Sequence, residues 1–230
     1  VIAAEANIAV AANFTKVIRQ LETQFEQQSG HQLNISLGST GKIYAQITKG
    51  APYDVFLAAD SKRPALLEQQ GLIVSGSRFT YANGVLVLWV PRLSADSSAK
   101  IEFNRNRIKR LAMPNPKVAS YGEAGLAFLK AMNWDKFDQT LMGNTVTHTY
   151  QFVETGGVDA GLVALSLFKP ELRHSNSIWI IPKDTYSPLE QQAVLLKRGK
   201  SNPVAIEFMQ YLKSDSVRSL IKANGYHLED

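Results

Sequence analysis

Four short stretches of this chain share one chemical character: a strand-like run, then a small polar residue or tight loop, then a good helix start. They are Ala11-Ala12-Asn13-Phe14, Leu37-Gly38-Ser39-Thr40-Gly41, Ala119-Ser120-Tyr121-Gly122 and Asn144-Thr145-Val146-Thr147. Each places backbone N–H groups at the positive end of a helix, and the first two add an Asn amide and a Ser hydroxyl. Brought together, they would form a cage for a small anion. None of the four contains Arg and the nearest Lys is Lys42, so such a cage holds charge with dipoles rather than with counter-charges.

Each stretch also has a plainer explanation. Asn13 and Ser39 are well placed as N-caps that satisfy their own helices, and every helix, including those beginning near Tyr121 and Val146, must start somewhere. Gly38 and Gly41 around Ser39 go further than a cap requires, because they let the backbone approach another group closely. Gly38-Ser39-Thr40-Gly41-Lys42 fails the phosphate-binding P-loop template. The first Gly of that motif would fall on Ser36, and Ile43 follows the Lys where Ser or Thr is needed. Lys42 reads as a solvated helix residue. The four histidines, His31, His148, His174 and His227, have no paired metal-ligand spacing, and there is no Gly-x-Ser-x-Gly elbow. Asp54 and Asp60 flank one strand, and a loop carboxylate and a helix cap explain them more simply than an acid/base pair. The residues therefore point to binding, with no enzymatic chemistry and no cofactor.

The chain has 230 residues, 45% hydrophobic and 20% charged, an ordinary composition for a globular protein with a sizeable core. Its apolar runs, such as Gly84–Val90, fall far short of the roughly 20 residues that span a bilayer. It begins Val1-Ile-Ala-Ala-Glu-Ala6 without Met, compatible with the tail of a cleaved signal peptide and equally with an arbitrary starting point. The absence of Cys excludes disulfides and thiolate chemistry and fits both cytosol and periplasm. A net charge of +5 suits an anionic partner. The densest basic run, Arg105–Arg110, lacks aromatic interleaving and reads as a solvated face, not a nucleic-acid surface.

Strand and helix patterns alternate nearly throughout, predicting an α/β fold with largely parallel sheets. Asn7–Ala12, Gln32–Leu37 and Asp54–Ala58 read as strands, separated by helices over roughly 14–28 and 40–49. A further helix runs to Gln70, with Asp60 as its N-cap. Phe79–Val90 is too long for one ordinary strand and is broken at Asn83-Gly84, which suggests a crossing between domains. A second α/β unit follows: a strand near Leu111–Met113, a helix over 122–132, a helical stretch over 134–141, a helix over 147–155, and strands near 162–164 and 178–181. Glu190–Lys197 returns the chain, and helices over 203–212 and 216–223 end it. The domains so read are 1–82 with 192–230, and 83–191, with a ligand cleft between them. No sequence repeat is present.

Ala11-Ala12-Asn13-Phe14, the Gly38–Gly41 loop with Tyr44-Ala-Gln-Ile47, Gly50-Ala-Pro-Tyr-Asp-Val-Phe-Leu-Ala-Ala-Asp60 and Asn115-Pro-Lys-Val-Ala-Ser-Tyr-Gly122 resemble the periplasmic molybdate-binding proteins, the substrate-binding components of molybdate ABC importers. The resemblance extends to Lys222-Ala-Asn-Gly-Tyr226. It implies a type 2 periplasmic-binding-protein fold of two α/β lobes, each a mostly parallel sheet flanked by helices, joined by two extended crossovers. It also implies an exported monomer that serves a membrane permease and binds molybdate or tungstate. Its ligand positions fall on Asn13, where many members carry Ser, on Ser39, and on the N–H groups at Tyr121 and Val146, with Ala12 and Thr40 adjacent. A Tyr hydroxyl used by some members falls at Ala164, and Asn13, with two amide hydrogens, is expected to compensate. No acidic residue sits in the four loops, so a proton-free dianion is expected to bind in preference to monohydrogen phosphate. A sulfate-binding relative and the sensing domain of a transcription regulator are the competing readings.

Overall fold

The computed structural model describes residues 4–91, 108–134 and 136–228. Val1–Ala3 and the part of the basic run at 105–107 lie outside them. The chain divides into two compact units, one formed by Val1–Asn83 with Leu189–Asp230 and the other by Gly84–Pro188.

In the first unit, β1 (Glu5–Ala11), β2 (Gln32–Gly38) and β3 (Val55–Leu57) alternate with α1 (Thr15–Ser29), α2 (Thr40–Thr48) and α3 (Lys62–Gln69). β4 (Phe79–Asn83) leaves the unit, and β10 (Glu190–Leu195) returns to it ahead of α6 (Pro203–Tyr211) and α7 (Asp215–Ala223). The strand order is β2-β1-β3-β10-β4. β1 runs parallel to β2 and β3, while β10 is antiparallel to β3 and β4. Period-two alternation places helices on both faces. Ile8, Val10, Val55 and Leu57 pack with Phe14, Ile18, Leu21 and Phe25, Phe208 of α6 and Ile221 of α7. Ala9, Phe56 and Val194 turn the other way, onto Ile43 and Ile47 of α2 and Leu67 of α3.

The second unit holds β5 (Leu86–Trp89), β6 (Arg110–Pro114), α4 (Ser120–Ala131), β7 (Gln139–Gly143), α5 (Val146–Glu154), β8 (Ala160–Ala164) and β9 (Ile178–Ile180). Its sheet order is β7-β6-β8-β5-β9, with β6 parallel to β7 and β8, and β5 antiparallel to β8 and β9. Both sheets therefore have one plan. A βαβαβ segment of spatial order 2-1-3 is followed by one reversed strand, on which the chain arrives from the other unit, and then by the strand on which it leaves. Four of the five strands in each sheet point the same way. The architecture repeats although the sequence does not, because the plan needs only matching hydrophobic periods and helix starts.

One local expectation fails. The stretch 134–141 runs into β7 (Gln139–Gly143) where a helix was expected. Trp134, Phe137 and Leu141 have helical spacing, but Trp134 instead packs edge-on against Phe128 of α4, with ring centroids 5.5 Å apart. As a largely exposed edge strand, β7 lacks the alternation that marks a half-buried strand.

Asp159 fastens β6 to the start of β8. Its Oδ2 accepts from the N–H groups of Lys109 at 3.0 Å and Arg110 at 2.8 Å, and Oδ1 faces the Arg110 guanidinium at 3.4 Å. Burial opposes ionisation, but the two backbone donors and the guanidinium outweigh it, so the carboxyl is held below the usual carboxylate range. A depressed folded pKa contributes stability above the unfolded value, near 3.9, and this is lost as pH falls through the folded one. Asp159→Asn is therefore expected to be less stable than wild type at neutral pH. Thermal unfolding from pH 7 down to pH 3 should show that gap closing below about pH 4.

Candidate functional site

In the first unit the pairing of β1 with β2 runs in register from Glu5↔Gln32 to Ala11↔Gly38. The residues that follow both strands, Ala12-Asn13 and Ser39-Thr40, therefore emerge side by side at the carboxyl edge of the sheet. That edge is where open α/β sheets bind ligands. Ala12–Phe14 forms a 3-10 turn leading into α1, and all three residues are buried. Ser39 is the N-cap of α2 in extended conformation (φ −76°, ψ 146°), yet its side chain makes no cap hydrogen bond. It is 4% exposed, and among the described residues no group hydrogen-bonds its Oγ. The cap explanation for Ser39 thus does not hold. A buried hydroxyl without a partner costs about 1–3 kcal/mol. Thr40 is already engaged, its Oγ1 accepting from Ala59 N at 3.0 Å and tying the start of α2 to the end of β3.

The second unit repeats the arrangement. β6 and β7 pair up to Pro114↔Gly143, and Asn115 N donates to Gly143 O at 2.8 Å, so the starts of α4 and α5 share one sheet edge. The N-cap of α4 is Ala119, which has no side-chain acceptor for the first-turn amides. Tyr121 is buried one position inside that helix. Gly122 is required here: a methyl on it would run into the Pro114 carbonyl and the backbone of Asn115 and Pro116. At α5 the cap explanation does hold for Thr145, whose Oγ1 accepts from His148 N at 3.1 Å. Val146, buried at the first helical position, keeps its N–H ahead of the i−4 ladder.

Asn13 and Ser39 are thus neighbours in one unit, and Tyr121 and Val146 in the other. The family described as bacterial extracellular solute-binding protein matches residues 6–227. The chain belongs to it. Among its relatives, the molybdate-binding protein ModA of Azotobacter vinelandii is 41% identical over 99% of this chain and 91% of its own length. The ModA of Rhodobacter capsulatus is 35% identical over 99% of this chain and 90% of its own. The solved structure of the Azotobacter vinelandii periplasmic molybdate-binding protein matches with a TM-score of 0.88 at 37% identity, covering 98% of this chain and 100% of that one. These relatives bear out the resemblance to molybdate-binding proteins read from the loop motifs, and the structural match bears out the expected two-lobed α/β fold.

In this solute-binding protein both acidic residues make structural bonds, although the N-cap of α3 is Ser61 and Asp60 stands one residue before it. Asp54 Oδ2 accepts from Asn7 N at 2.8 Å, and Asp60 accepts from Arg63 N at 2.9 Å and from its guanidinium at 2.8 Å. Lys42 is exposed. Ala164 ends β8 fully buried, with only a methyl to offer.

Asn13 differs from expectation, because its Nδ2 already donates to Gln191 Oε1 at 2.9 Å and to Tyr226 Oη at 3.0 Å. Sequence reasoning passed over these partners. Gln191 is fully buried and must find hydrogen bonds, but with Glu190 and Gln192 on either side of it in β10 nothing local marked it.

Proposed function

We propose that the chain captures molybdate, and tungstate likewise, and hands it to the permease of an ABC importer. The supporting observation is the Ser39 hydroxyl, buried at a helix start without a hydrogen-bond partner among the described residues, in a chain whose relatives are named molybdate-binding. Donors from both units grip one tetrahedral dianion: the Ser39 Oγ–H, the N–H groups of the Asn13 turn and of Thr40, and those of Tyr121 and Val146. Ala12 contributes the wall beside Asn13. Hydrogen bonds to a charged group are worth about 1.5–3 kcal/mol each, so five to seven of them offset association costs of 4–15 kcal/mol. Donors alone suit a guest with no proton to give, whereas monohydrogen phosphate needs an acceptor. Sulfate matches molybdate in charge and shape and is refused by size.

The protein works as a periplasmic monomer released from its signal peptide. It catalyses no reaction, needs no cofactor and binds no nucleic acid. Calorimetric titration with molybdate, tungstate, sulfate and phosphate tests the reading. Tight binding of the first two with weak or undetectable phosphate binding is expected; phosphate binding as tight as molybdate would overturn it.

A further inference from the structure

We infer that Tyr226, with Gln191 and Tyr81, is a positioning group for the anion site, holding the Asn13 turn from behind and tying it to both strands through which the first unit is entered and left. This rests on the proposed reading of Asn13 as part of the site. The Tyr226 hydroxyl donates to the Asn13 carbonyl at 2.8 Å and accepts from its Nδ2 at 3.0 Å. The second Nδ2 hydrogen goes to Gln191 Oε1 at 2.9 Å, and the Tyr81 hydroxyl reaches the same Oε1 and the Ala58 carbonyl, each at 3.1 Å. Phe14, next in the turn, is wedged edge-on between the rings of Tyr81 and Tyr226, with centroids 4.9 and 5.5 Å away.

Each anchor lies close to a crossing. Gln191 stands two residues after Leu189, where the chain re-enters the unit, and Tyr81 two residues before Asn83, where it leaves. Tyr226 is followed by His227, which exchanges two backbone bonds with Asn83: Asn83 N to His227 O at 2.7 Å, and His227 N to Asn83 O at 3.0 Å. The C-terminal segment therefore clasps the last residue before the crossing and the anion-facing turn together. The carboxamide of Asn13 is accordingly a positioning group, and its main chain carries the bond to the guest. A turn fixed on both sides keeps its amides at one radius, and that radius distinguishes molybdate from smaller sulfate.

Tyr226→Phe removes one oxygen atom and keeps the ring against Phe14. It is measured beside Phe208→Leu, a core change in α6 where the ring packs against Phe25 and Tyr211. In the anion-free protein, hydrogen exchange of peptides covering residues 10–15 and 82–84 is expected to rise in Tyr226→Phe and not in Phe208→Leu. Molybdate affinity should fall about tenfold, the weight of one hydrogen bond, and the preference for molybdate over sulfate should narrow. A purely structural role would weaken all anions by one common factor.

Unchanged exchange at residues 10–15 overturns the inference, as does increased exchange with the molybdate-to-sulfate ratio intact. Tyr81→Phe, one bond further from Asn13, should give the same pattern at smaller amplitude. If the wild-type protein takes up no molybdate, the reading of the site fails instead, and the exchange comparison alone then decides whether the clasp holds the turn.

Discussion

Ser39→Asp is expected to abolish molybdate binding while leaving the anion-free protein as stable as wild type, or more so. Asp is among the best N-cap residues, and a negative charge at a helix N-terminus stabilises by about 0.3–1 kcal/mol, so the new carboxylate serves α2 well. The same charge faces a dianion. At about 4 Å and an effective dielectric near 20, each unit pair repels by roughly 4 kcal/mol, about a thousandfold in affinity, and the guest carries two charges. Thermal unfolding and calorimetry on one preparation read both effects. The opposite signs matter because a merely damaged protein would lose stability and binding together. If Ser39→Asp titrates with molybdate like wild type, Ser39 does not face the anion.

Gly122→Val tests the second unit. Its branched side chain would meet the Pro114 carbonyl and the backbone of Asn115 and Pro116, and these are main-chain atoms that cannot rotate away. Overpacking of this kind costs about 1–3 kcal/mol and more where the backbone is fixed, so a loss near 3 kcal/mol is expected in denaturant unfolding. The start of α4 can relieve the clash only by moving, and it takes the N–H of Tyr121 with it. Molybdate affinity should therefore fall by more than the loss of folded protein accounts for. Binding that stays at the wild-type level in the folded fraction would remove the start of α4 from the site.

The alternation of apolar periods made the two α/β units legible, and Gly30, at φ 72°, ends α1 where the sequence placed its stop. What failed was legible only in three dimensions. β7 carries little burial pattern because it is an exposed edge, so the helical spacing of Trp134, Phe137 and Leu141 was misleading. The common plan of the two sheets leaves no trace in residue identity. At the site, the sequence marked Asn13, Ser39, Tyr121 and Val146 by their position before helices, but a cap and a ligand look alike there. The coordinates show which hydroxyl caps: Thr145 caps its helix and Ser39 does not. The partners of Asn13 lie 178 and 213 residues away, beyond the reach of any local pattern.

Whether donors of both units meet on one dianion can be read by diffraction from crystals grown with molybdate, using the anomalous signal of molybdenum. One strong site is expected, its oxygens about 2.5–2.9 Å from Ser39 Oγ and, at the same time, from the N–H groups of Tyr121 and Val146. Molybdenum held by the donors of one unit alone, or found only at some other surface, would contradict it.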